Sequence, residues 1–90
     1  MSASQLVVFP SPGEHGSPAE RVRRLQSEAR VLAREHIELL AVALAEVARL
    51  SAEIAEGGDA YPVGARELSR RLTEECGMQA LTLTAIVDRH

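Results

Sequence analysis

Apolar residues return along the first half of the chain at steps alternating between three and four: Val22, Leu25, Ala29, Leu32, His36, Leu39 or Leu40, Ala43, Val47, Leu50 and Ile54. Such steps keep side chains on one side of an α-helix and resemble the heptad seam of a coiled coil. The interval from His36 to Leu40 adds an extra step of four, a stutter that locally unwinds a left-handed supercoil. Beyond it the apolar arc widens, with Ile37, Leu39, Leu40, Val42, Leu44 and Val47 surrounding much of the helix. A helix wide-faced in one half is expected to meet more than one neighbour there.

The limits of this helix are written in its ends. Ser17-Pro18-Ala19-Glu20 places a favoured N-cap before proline at the first helical position, and Glu20 completes a capping box. No glycine or proline follows until Gly57-Gly58, where glycine is the usual stop. The pattern therefore predicts one helix from Pro18 to Glu56, roughly 58 Å long at about 1.5 Å per residue.

The breaker-rich run Gly57 to Gly64 predicts a turn, with Tyr61 and Val63 capping the end of a hairpin or, alternatively, offering a contact to a partner protein. A second helix is expected over about Ala65 to Glu75, with Val63, Leu68 and Leu72 on one face and Gly77 breaking or capping it. Met78 to Arg89 reads in two ways. Leu81-Thr82-Leu83-Thr84 alternates like a strand, whereas Met78, Leu81, Ala85 and Ile86-Val87 share a helical face. Helix is preferred because a lone strand lacks a partner, the only candidate being Leu6 to Phe9. That patch sits in the Pro-, Gly- and Ser-rich run Met1 to Gly16, which reads as a disordered tail; its sharper reading is a segment that docks on the helices or on a partner's sheet edge. The expected organisation is a tail over 1–16 and a helical domain over 17–90. The fold class is all-α: a long amphipathic helix with one or two short C-terminal helices folding back as a hairpin, dimerising into a helical bundle.

Composition supports the need for a partner. Ninety residues make one small domain, and the 46% hydrophobic fraction is rich in alanine, with one Phe, one Tyr and no Trp. Alanine favours helix but brings little area to bury. Small chains of this kind gain stability by oligomerising.

Charge then suggests an orientation. From Ser17 to Arg34 five arginines face two glutamates, a balance of +3; from Glu35 to Glu56 five glutamates face Arg49, a balance of −4. This gradient opposes the helix dipole, which favours acids at the N-terminus and bases at the C-terminus. Two copies laid head to tail set each basic half beside an acidic half, with the midpoint near Ile37 and the His36 side chains close to the two-fold axis. The expected interface is Val22, Leu25, Ala29, Leu32, His36 and Leu40, with Arg24 and Arg30 beside them. The hairpin alone gives a competing account, in which Arg66, Arg70 and Arg71 lie beside Glu53 and Glu56. It leaves the stripe of Val22, Leu25 and Leu32 uncovered.

Candidate chemistry is thin. His36 lies mid-helix, as the reactive histidine of phosphotransfer domains does, but on the apolar seam; a register-setting interface histidine is the preferred reading. Buried across a two-fold, it would weaken the dimer on acidification. His15, His36, Cys76 and His90 are scattered, without HExxH or CxxC spacing, so no metal site and no cofactor is expected. Cys76, beside Glu75 and at the expected end of the second helix, reads as an inert thiol. Residues 67–87 vaguely resemble a helix-turn-helix, yet the second segment carries no basic residue until Arg89, and the net charge of −3 argues against nucleic acid.

The absence of a signal-like start or a long apolar run, together with a single cysteine, points to a soluble, cytoplasmic protein. Arginine in place of every lysine fits a GC-rich, bacterial genome. The expected function is a small non-enzymatic interaction or adaptor protein acting as an antiparallel helical homodimer. A small DNA-binding regulator stands second and a phosphotransfer protein third.

Overall fold

The computed structural model describes residues 16–89, all of whose regular structure is helical. Helix α1 spans Pro18–Ala55, a 3-10 turn covers Gly58–Ala60, and helix α2 spans Val63–Asp88. The expected tail and its Leu6 to Phe9 patch lie outside the described residues, apart from Gly16. No helix among the described residues is long and apolar enough to cross a membrane. The chain divides into two units at the boundary between Leu32 and Ala33.

In the first unit α1 begins as the sequence predicts. The backbone N–H of Glu20 donates to Ser17 Oγ at 3.1 Å, and the N–H of Ser17 donates to Glu20 Oε1 at 3.1 Å. This reciprocal pair satisfies donors that the first turn leaves without an intrahelical partner. Every described residue of this unit is exposed.

In the second unit α2 packs against the later part of α1. Arg34 Nη2 donates to the carbonyl of Val87. Leu40 and Leu44 line one groove with Gln79, Thr82 and Leu83. Ala48 accepts from Thr73 Oγ1 at 3.4 Å and lies under Gly77. Ala52 and Ala55 share a recess with Arg70 and Thr73. Contacts therefore descend α2 as they climb α1. The connection turns at Gly58, whose φ of 81° is the left-handed conformation glycine adopts without steric cost. Gly57 is right-handed, at φ −80°, and the ring of Tyr61 lies directly over it. Tyr61 thus closes the turn as expected, whereas Val63 is 64% exposed and does not.

Two expectations about the C-terminal half are corrected. Gly77 does not end a helix: α2 runs through it for 26 residues, so one long helix replaces one or two short ones. The stretch that alternates like a strand is helical, with Thr82 Oγ1 and Thr84 Oγ1 donating to the carbonyls of Met78 and Ala80 at 3.0 Å. These back-bonds to the preceding turn satisfy the hydroxyls without adding to helix stability, so packing on α1 overrides the local alternation. Residues 67–87 consequently lack the turn that a helix-turn-helix requires. Cys76, free and half-buried, sits in mid-helix facing α1, so burial and not a helix end sets its surroundings.

The second correction concerns the packing face. On α2 the residues turned inward are Ser69, Thr73, Cys76, Ala80, Leu83 and Val87, spaced by four and three; Val63 and Leu68 are exposed and Leu72 is half-buried. On α1 they are Ile37, Ala41, Leu44, Ala48, Ser51 and Ala55. Both tracks keep the heptad alternation of antiparallel helices packed at a shallow angle. Their members are mostly small, which lets the backbones approach closely but buries little apolar area.

Candidate interaction surface

The track that α2 covers on α1 is the expected stripe displaced by one residue: Ala41 follows Leu40, Leu44 follows Ala43, Ala48 follows Val47, Ser51 follows Leu50 and Ala55 follows Ile54. One residue is about 100° of rotation at 3.6 residues per turn. The helix thus presents two apolar tracks at roughly a right angle. The small-residue track meets α2, and the large-residue track stays open.

All its members but the half-buried Ile54 remain in solvent. In the first unit Val22, Leu25 and Leu32 are exposed, Leu25 by 58% and Leu32 by 65%. In the second unit Leu40 is 52% and Leu50 46% exposed, and Val47 is also open. Ala29, Arg24, Arg30 and His36 are exposed as well. All eight expected interface residues therefore lie at the surface. Scattered exposed aliphatics are ordinary on a protein surface, but contiguous apolar patches mark interaction sites.

Helix α2 extends the open surface within the second unit. The residues preceding its inward track, Leu68, Leu72, Gln79, Thr82 and Ile86, flank the packed seam, and Leu68 and Ile86 are exposed. On this side Leu40, Leu44, Gln79, Thr82 and Leu83 form a shallow, largely apolar groove. Sequence reasoning missed this contribution because it ended the second helix before Gln79. The signal available was the heptad spacing of Ala80, Leu83 and Val87 with Ser69 and Cys76.

Electrostatics is local to each helix. Arg49 bridges Glu46 and Glu53, the latter at 2.6 Å, and Arg70 pairs with Glu67 at 3.1 Å. The hydrogen bond from Arg49 holds the Glu46 carboxyl below its ordinary value and raises the guanidinium in turn. The expected pairing of Arg66, Arg70 and Arg71 with Glu53 and Glu56 does not form among the described residues. Arg66 Nε instead donates to the Tyr61 carbonyl at 3.0 Å, and Arg70 and Glu56 share only the walls of one recess. Pairs one turn apart on a helix need no particular helix–helix register, and they capture these charges.

Among the described residues no group of His, Cys, Asp and Glu is placed to hold a metal ion. His36 stands alone on the open stripe. Known protein families, characterised proteins and solved structures give no significant match to the chain.

Proposed function

We propose that the protein is a small non-enzymatic interaction module of the adaptor kind, a helical hairpin with an extended first helix that works as a homodimer through the open stripe of α1. The observation that carries this reading is the partition of α1 into two tracks. The chain packs on itself mostly through small residues, with Ile37, Leu44, Leu83 and Val87 among them, and leaves Val22, Leu25, Leu32, Leu40, Val47 and Leu50 at the surface. Ala41, Ala80 and Val87 are its only buried hydrophobic residues among those described. A chain with so little buried area gains most from covering the remainder with a second chain.

Light scattering at micromolar concentration tests the reading, with a mass of two chains expected. Leu32→Asp and Leu40→Asp, each placing a carboxylate in the stripe, return the protein to one chain. A one-chain mass for the unsubstituted protein refutes the homodimer.

A further inference from the structure

The steps of the open stripe are symmetric about His36. Leu32 and Leu40 stand four residues either side of it, Ala29 and Ala43 seven, Leu25 and Val47 eleven, and Val22 and Leu50 fourteen. Two antiparallel helices keep their seams in contact only if a step of three on one meets a step of three on the other. A sequence that reads the same in both directions from one residue meets that condition with itself, through a two-fold axis at that residue. The stutter falls where the symmetry needs it, as two successive steps of four, Leu32 to His36 and His36 to Leu40. The pairing is also matched in size: Ala29 meets Ala43, and Leu32 meets Leu40. His36 lies within one residue of the middle of Pro18–Ala55, so nearly the whole helix overlaps.

On this axis, and resting on the homodimer reading above, we infer that the Pro18-to-Leu32 segment of each copy is the third helix of a bundle whose other two helices, Ala33–Ala55 of α1 and α2, belong to the second copy. Charge complementarity selects this arrangement over a parallel one. A parallel pair stacks the +3 half on itself and the −4 half on itself, whereas the antiparallel pair sets opposite halves together. The groove of Leu40, Leu44, Gln79, Thr82 and Leu83 supplies the seat, since Leu40 faces Leu32 of the second copy. The register continues onto α2. Ala48 lies beside Thr73 and Gly77 of its own chain and is level with position 24 of the second copy, which brings Arg23 of that copy level with Glu75. Each small-residue pair of helices is thereby roofed by the large aliphatics of the other chain.

Cysteine cross-linking in full-length protein carrying Cys76→Ser tests the arrangement, with far-UV circular dichroism and light-scattering mass recorded for each variant. Under mild oxidation His36→Cys is expected to link to itself. Val22→Cys and Leu50→Cys are each expected to stay unlinked alone and to link when mixed. As an independent arm, Glu75→Arg weakens the dimer and Arg23→Glu in the same chain restores it. A two-chain mass with Val22→Cys linking to itself overturns the antiparallel bundle and leaves the homodimer standing. A one-chain mass overturns both.

Discussion

Replacing Gly77 with alanine is expected to stabilise the protein, against what its place in the sequence suggests. A glycine after Glu75-Cys76 reads as a helix stop, and an alanine at a left-handed stop is strained and costs about 1 kcal/mol. Gly77 is instead interior to α2, and among the described residues only Gly16 and Gly58 have positive φ. Alanine is favoured over glycine in a helix interior by about 1 kcal/mol. The new methyl also has room, since a Cβ at position 77 meets its nearest neighbour, the Ala48 Cβ, at 3.9 Å, an ordinary van der Waals contact. Partial burial of one carbon there adds a few tenths of a kcal/mol, below the ~0.8 kcal/mol of a fully buried methylene. The sum is about 1–1.5 kcal/mol. Urea unfolding followed by circular dichroism, at one fixed protein concentration so that the proposed association contributes equally, reads it as a higher midpoint. A lower midpoint for Gly77→Ala refutes both the continuous helix and the spacing to Ala48.

Three further outcomes follow from the same geometry. Gly58→Ala destabilises by about 1 kcal/mol through its left-handed backbone, although no atom lies within 4 Å of the added carbon, and the urea midpoint falls without a change in slope. Ser17→Ala removes the acceptor for the Glu20 N–H and costs about 1 kcal/mol of local helix stability, seen as faster amide exchange over the first turn of α1, while Ser17→Asp retains protection. The lowered Glu46 carboxyl contributes stability that is present above the ordinary carboxylate range and lost as the pH falls through its depressed value; helicity of the unsubstituted protein therefore drops on acidification below about pH 4.5 more than that of Arg49→Gln, and superimposable titrations would sink the pairing.

The sequence makes some of this fold legible and hides the rest for identifiable reasons. Ser17 and Glu20 announce the start of α1 because a capping box is a local device, made by four consecutive residues whatever packs elsewhere. Gly77 misleads because glycine after a run of helix reads as a left-handed stop, whereas here its backbone is helical and α2 continues through it against Ala48. The packing track is hidden for a related reason. Periodicity weighted by side-chain size selects Leu40, Val47 and Leu50, while the close approach of two helices joined by a short turn selects Ala41, Ala48 and Ser51 one position on. Both tracks have the same period, so no spacing argument separates them.

That degeneracy makes the open surface informative. A helix with one apolar track is explained once its own chain covers it. On α1 the covered track is mostly alanine and serine, with Ile37 and Leu44, whereas the exposed track carries Val22, Leu25, Leu32, Leu40, Val47 and Leu50. The hydrophobic driving force scales with area, so the exposed Val22, Leu25, Leu32, Leu40, Val47 and Leu50 leave apolar surface that a single chain does not bury. The symmetry of the exposed track about His36 is the feature on which the proposed pairing rests: the same track, turned end for end, on another copy.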